Sequence, residues 1–212
     1  MWEKEYENKK FYWGLKPNLF LKKILPEVEK GVALDIGAGE GRNSFMLAKE
    51  GFEVEAVDKI AVGLNKLKEF AQKQNLKIKT KVCDINDFNF KKDHYSLIVA
   101  IAALDFLKKS EIENLIPKIE ESLREGGVVY LSVFSKKDDL YKKIKERGIS
   151  EIEKNTFYLP KYETYRHFFT KTELKEMFEG FKIINLEEKR IEDKSHDKPH
   201  FHNTIHLVAK KR

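Results

Sequence analysis

The sequence predicts an α/β fold: a doubly wound, mostly parallel seven-stranded sheet ending in an antiparallel hairpin. Three observations carry this. Short apolar runs alternate with amphipathic helical stretches from Val32 to Phe134, the pattern of strand-helix-strand units with right-handed crossovers. A glycine-rich turn, Gly37-Ala38-Gly39-Glu40-Gly41, follows the first run and opens a helix. Near the end, two strand-like runs follow one another with no helix between them, so they must pair antiparallel.

Residues 1–16 are charged and carry the aromatic cluster Phe11-Tyr12-Trp13, which reads as a lid segment; Pro17-Asn18 then introduces a predicted helix, Leu19 to Lys30. Strands are predicted at 32–36, 53–57, 78–83, 95–101 and 128–134, with helices at 41–50 and 60–74. Ser110-Glu111-Ile112-Glu113 reads as a capping box for a helix to about Arg124, closed by Gly126-Gly127. The alternation stops at Ser135. Residues 136–169 hold a lysine-rich helical piece and an aromatic run with no repeat behind them. Thr170-Lys171-Thr172-Glu173 is a second capping box, opening a helix to about Glu179, and the last strands are expected at Phe181 to Glu187 and Phe201 to Ala209. One domain is expected: a lid at 1–27, a core at 28–134, an insertion at 135–169, and the last helix and hairpin at 170–212.

The length of 212 residues and 41% hydrophobic content suffice for one core. There is no run of about 18 apolar residues and no basic-then-apolar start, so a soluble, cytoplasmic protein without a membrane partner is expected. The single cysteine, Cys83, excludes an internal disulfide and a thiolate metal cage. A net charge of +6 raises the question of nucleic acid, but lysine and glutamate are interspersed along the chain, the pattern of a solvated, thermostable surface.

The glycine turn carries the chemistry. Its spacing is Gly37-x-Gly39-x-Gly41, with Asp35 just before it and Glu40 inside it. Carboxylates beside a diphosphate repel it, and no lysine lies in the turn to compensate, so the turn suits a cationic ligand such as S-adenosylmethionine better than a dinucleotide. Asp58, past the second strand, can accept from both ribose hydroxyls. Asp84, past the third, can accept from an adenine amine beside the Ile85 backbone. Three acids at three successive strand ends form one constellation.

Asp35-x-Gly37-x-Gly39-x-Gly41, Asp58, Asp84 and the terminal hairpin resemble the class I S-adenosylmethionine-dependent methyltransferases, with a Rossmann-like sheet. The string Leu34 to Ser44 with Ala56-Val57-Asp58 is similar to the tellurite-resistance type of small-molecule methyltransferase. The resemblance implies S-adenosylmethionine as cofactor and S-adenosylhomocysteine as product. It implies Asp35, Gly37, Ala38 and Gly39 at the methionine moiety, Asp58 with Lys59 at the ribose, Asp84 and Ile85 at the adenine, and Ala100 and Ile101 beside the methyl. The chain departs from that type at Asp105, an acid where an apolar stretch is expected.

The acceptor is expected to be a small molecule, a chalcogen oxyanion, thiol or similar. Asn/Asp-Pro-Pro-aromatic is missing after the fourth strand, where Ala100-Ile101-Ala102-Ala103 stands, and Cys83 lies at the adenine end, so base methylation of nucleic acid loses support. RNA or protein methylation, or S-adenosylmethionine binding without catalysis, are the alternatives. The pocket roof is expected from the N-terminal aromatics, the insertion and the hairpin loop. Trp13 is the candidate over the cofactor; Tyr165 and Asp105 are candidates at the substrate. His196, His200, His202 and His206 gather near the end of the chain. His200 and His202, on one strand face, and His167 of the insertion are the candidates for a base. No metal is expected, because no thiolate or clear carboxylate ligands accompany them.

Overall fold

The computed structural model describes residues 2–8, 11–193 and 200–212. Seven strands form the main sheet in the order β3-β2-β1-β4-β5-β10-β9. They are β1 (Val32–Ile36), β2 (Glu53–Asp58), β3 (Ile78–Val82), β4 (Tyr95–Ile101), β5 (Leu123–Phe134), β9 (Lys182–Asp193) and β10 (His200–Lys210). The first five run parallel, and β10 lies antiparallel to both β5 and β9. The expected fold class is therefore the observed one.

Helices cover both faces, because the central strands are buried on both sides. On one face α2 (Leu19–Ile24), α3 (Arg42–Lys49) and α4 (Ala61–Lys73) pack Leu21, Phe45, Leu47, Leu64 and Leu67 against Ala33, Val54, Leu97 and Tyr130. On the other, α5 (Lys109–Ser122) and α7 (Lys171–Met177) set Ile112, Ile116, Ile119 and Leu174 against Leu34, Ile98, Leu131 and Leu207. Each fully buried side chain of this size contributes about 1.5–3 kcal/mol.

Several expected boundaries change. Residues Trp2–Asn8 form a helix, α1, within the segment read as an irregular lid. The helix expected at Leu19 to Lys30 ends at Ile24 and tightens into a 3-10 turn, Leu25–Glu27, where Pro26 lacks the amide an α-helix needs. Helix α5 starts at Lys109, and its capping carboxylate is Glu111, which accepts the Lys108 amide at 2.7 Å. Ser110 instead donates its amide and hydroxyl to Glu153 at 2.9 and 2.8 Å, tying the insertion to the helix. The Thr170 box forms as expected, with the Glu173 amide donating to Thr170 Oγ1 at 3.1 Å. Both hairpin strands are longer than expected, and β10 begins at His200, so His200 and His202 both lie on it.

The insertion contains more than a helix. After α6 (Asp139–Glu146) come three short antiparallel strands, β6 (Glu151–Glu153), β7 (Thr156–Leu159) and β8 (Thr164–His167). They share a small core of Ile144, Phe157, Leu159 and Phe168. The segment leaves the main sheet at Ser135 and returns at Phe169, which form a parallel bridge.

Candidate functional site

Parallel strands leave their carboxyl ends on one edge, and the registers bring the acids there together. Asp35 of β1 lies opposite Ala56 of β2 and Val99 of β4; Asp58 closes β2 opposite Val82 of β3. The turn after β1 has φ of 69° at Gly37, 54° at Gly39 and 87° at Gly41, the left-handed region that glycine adopts without strain.

These glycines also make room inside the protein. A Cβ at Gly37 would stand 2.5 Å from Ala103 Cβ, one at Gly39 2.8 Å from the Tyr6 hydroxyl, and one at Gly41 2.4 Å from Leu67. Much of the space that a glycine-rich turn leaves open is here taken by these neighbouring side chains. The amides of the turn are engaged too. Gly37 and Ala38 both donate to the Val57 carbonyl at 2.9 and 3.1 Å, and Gly41 donates to the Ala38 carbonyl at 2.9 Å. Gly39 donates to Asp58 Oδ2 at 2.9 Å. A pyrophosphate cradle needs amides directed outward, and these four are directed inward.

The acids are strongly conditioned by burial. Asp35 is 2% exposed, and burial pushes its carboxyl up to about 7, opposed by the Ser44 hydroxyl that donates to it at 2.6 Å. Asp58 is raised by burial, opposed by the amides of Ile60 and Gly39. Asp84 caps a 3-10 turn, accepting the Asn86 amide at 3.0 Å, and Ile85 follows it half-buried. Lys59 is exposed, Ala100 is fully buried within β4, and Ile101 is half-buried at its end.

Helix α1 closes over the turn. Tyr6 sits against Gly39 and Gly63. Glu40, read from the sequence as part of the charge facing the ligand, is 3% exposed and holds the lid: it accepts the Tyr12 amide at 2.6 Å and the Trp13 amide at 3.4 Å, and pairs with Lys66 at 2.9 Å. Lys66 also donates to the Tyr6 carbonyl. Trp13 stands 5.4 Å from Trp2, whose ring meets Phe106 edge-on at 5.8 Å. Phe11 packs into the core against Phe45 and Phe70, while Tyr158 and Tyr162 are exposed.

Beyond Phe106 lies a polar centre where the insertion meets β4 and β5. Asp105 is fully buried; its Oδ1 accepts the Phe134 amide at 2.5 Å and its Oδ2 has no partner. Burial pushes this carboxyl up to about 6, against the pull of Arg166. Arg166 of β8 is 9% exposed, with its guanidinium 4.2 Å from the Phe106 ring centre and 4.9 Å from that of Phe134. Its Nε and Nη1 have no partner. Orphaned buried polar groups cost about 1–3 kcal/mol each, more when charged, so the cluster stands out. Arg166 is not among the residues singled out from the sequence; its one signal there is a lone arginine inside the aromatic run of the insertion.

Tyr165 is half-buried, with the Lys108 ammonium 4.9 Å from its ring centre. The histidines are dispersed. His167 is fully buried on β8, bonded to Thr156 Oγ1 at 2.8 Å and 3.4 Å from Glu173. His202 meets Asp138 at 3.0 Å and the Phe134 ring edge-on. His206 is buried against Phe20 and Tyr130, and burial pushes its ring down to about 4. His200 takes a backbone position opposite Asp193, and His196 lies outside the described residues. Among the described residues no group of three His, Cys, Asp or Glu side chains is arranged to hold a metal ion, and no helix is long and apolar enough to cross a membrane.

Comparison with known proteins adds sequence and fold relatives. The model of the family "Tellurite resistance protein TehB" matches residues 4–144. A Haemophilus influenzae protein described as a probable S-adenosyl-L-methionine-dependent methyltransferase TehB is 32% identical over 107 residues, 50% of this chain; the match spans only 37% of that relative's length. Among solved structures, a SAM-dependent methyltransferase of Methanosarcina mazei superposes with a TM-score of 0.76 at 21% identity, covering 93% of this chain and 99% of that one. Haemophilus influenzae TehB superposes with a TM-score of 0.74 at 23% identity, covering 92% of this chain and 62% of that one. At these identities the two structures establish a common fold.

Proposed function

The chain belongs to the tellurite resistance protein TehB family, and from that premise we propose that it is an S-adenosylmethionine-dependent methyltransferase acting on a small molecule. One observation carries the reading. The turn between β1 and α3 has four amides bonded within the protein and two carboxylates at its base, Asp35 buried and Asp58 half-buried, which disfavours a diphosphate and favours a cation. S-adenosylmethionine, when bound, supplies an electrophilic methyl on a sulfonium centre.

The chain's residues supply position and shelter. Asp35, Gly37, Ala38 and Gly39 would hold the methionine end, Asp58 and Lys59 the ribose, and Asp84 and Ile85 the adenine. Ala100 and Ile101 would border the methyl, and Trp13, on the lid anchored by Glu40, would exclude water. Alignment for in-line displacement and exclusion of water account for most of such a rate enhancement. The acceptor enters between the lid, the insertion and β10, where Asp105, Tyr165 and His202 stand. His167 is enclosed by Thr156, Glu173 and Phe169 and serves the insertion's packing in this reading.

Isothermal titration with S-adenosylmethionine, S-adenosylhomocysteine and NAD tests the donor, and a labelled-methyl screen of tellurite, selenite, thiols and bulk RNA tests the acceptor class. Binding of the two sulfur compounds without NAD is expected. Binding of NAD alone overturns the reading.

A further inference from the structure

The polar centre at Asp105 and Arg166 is built at a cost that the sheet does not require. Arg166 lies between two phenyl rings with no carboxylate of the described residues within salt-bridge distance, and its Nε and Nη1 are unpartnered among them; Asp105 Oδ2, whose sister oxygen accepts the Phe134 amide, is unpartnered as well. Buried polar atoms in native proteins find partners. Two donors on Arg166, which lies on the Phe106 ring, and one acceptor on Asp105, the residue before that ring, call for a ligand with the complementary set. A chain of side-chain contacts links the glycine turn to this centre: Gly39 meets Tyr6, Tyr6 stacks on Trp2, and Trp2 meets Phe106, on which Arg166 lies.

Charge decides which ligand. Arg166 is faced by Asp105 from the turn after β4 and by Asp138 from the turn before α6, and Asp138 in turn pairs with His202 of β10. His167, next in β8, faces Asp105. With one cation set against two carboxylates and two imidazoles, the centre carries no surplus positive charge, so an anionic acceptor gains little there. A neutral one fits.

We propose that Asp105 and Arg166 form the acceptor subsite, and that the acceptor is a neutral ring compound with an ionisable N–H or O–H beside a carbonyl oxygen. Arg166 donates to the carbonyl oxygen, and Asp105 Oδ2 accepts the proton. The freed lone pair of nitrogen or oxygen forms the new bond to the methyl carbon. The carbon–sulfur bond breaks, and its electron pair stays on sulfur. Arg166 meets the negative charge that develops on the ring, and Asp105 passes its proton to water as the products leave. Burial lifts Asp105 to about 6, which keeps it ionised at neutral pH yet basic enough to serve.

This rests on the methyltransferase reading, and the test separates the two. S-adenosylhomocysteine is first titrated into the wild type, Asp105→Asn and Arg166→Lys, each checked for cooperative melting. Equal affinities are expected; no affinity in the wild type defeats the methyltransferase reading itself. Then 2-quinolone and maltol, as neutral probes, and benzoate and selenite, as anionic ones, are compared as ligands of the S-adenosylhomocysteine complex and as acceptors of labelled methyl. Transfer to a neutral probe is expected, with a rate limb near pH 6. Asp105→Asn should lower kcat about 100-fold and erase that limb, and Arg166→Lys should raise KM about tenfold with a smaller change in kcat. Three results overturn the proposal: preference for benzoate or selenite, no binding of either neutral probe, or unchanged kinetics and pH profile in both variants, which would leave the pair a structural one.

Discussion

Asp35 keeps a proton at pH values where most aspartates have lost theirs, because its burial on β1 outweighs the hydrogen bonds it receives from the Ser44 hydroxyl and amide. From the ordinary 3.8 up to about 7 the folded protein holds a proton that the unfolded chain has released. Stability therefore falls as pH rises through that window, by at most about 1.4 kcal/mol per pH unit, and the loss is complete above it. Asp35→Asn removes the dependence, so the difference between variant and wild-type melting temperatures should widen from acid to neutral pH; parallel pH curves would assign the titration elsewhere. Gly37 is constrained differently, by its φ of 69° and by Ala103 at 2.5 Å from a built Cβ. Gly37→Ala should cost roughly 1–3 kcal/mol in denaturant unfolding. Adding Ala103→Gly removes the collision and leaves the strained backbone, so the double variant should recover part of the loss. Full recovery, or none, would mean that one of the two causes is absent.

At the scale of elements, the lid depends on one carboxylate. Glu40 holds the Tyr12 and Trp13 amides and the Lys66 ammonium, and Lys66 caps the Tyr6 carbonyl of α1. Glu40→Gln keeps the shape and removes the charge; hydrogen bonds to charged groups contribute about 1.5–3 kcal/mol, so amide exchange at Tyr12 and Trp13 should quicken while strands β1 to β5 keep their protection. Unchanged exchange at both residues would show that the lid is held by its aromatic contacts alone. This arrangement also explains what was legible. The turn could be read because only glycine tolerates its three left-handed positions, and the Thr170 box because both its partners are local. Helix α1 could not, since its support comes from Gly39, Gly63 and Lys66, distant in the chain. Strands β6 to β8 are too short for a period-two pattern to emerge, and the hairpin's extra length comes from cross-strand pairing that no single strand encodes.

In the whole molecule, the proposed acceptor side is an addition to a finished sheet. The acids proposed to bind the donor, Asp35, Asp58 and Asp84, were legible because each sits at a strand end fixed by the alternation, whereas Arg166 reaches the edge through an insertion whose path the sequence does not encode locally. The two ends of that insertion lie side by side on the sheet: Phe169 donates to the Phe134 carbonyl at 2.8 Å, and Lys136 donates to the Phe169 carbonyl at 3.0 Å. It has its own small core of Ile144, Phe157, Leu159 and Phe168, and closing a short loop between neighbouring ends costs little entropy. Replacing residues 137–167 with a short Gly-Ser linker should therefore leave a chain that melts cooperatively and binds S-adenosylhomocysteine within roughly threefold of the wild type, a difference under about 1 kcal/mol. Its melting temperature should fall by several degrees, because Asp138 no longer caps the Asn203 amide and Phe134 loses the cover of Arg166. Methyl transfer should disappear, since the excised piece carries Arg166 and Tyr165. A shortened chain that loses donor affinity along with transfer would make the insertion part of the cofactor site and remove the division between a donor sheet and an acceptor cap.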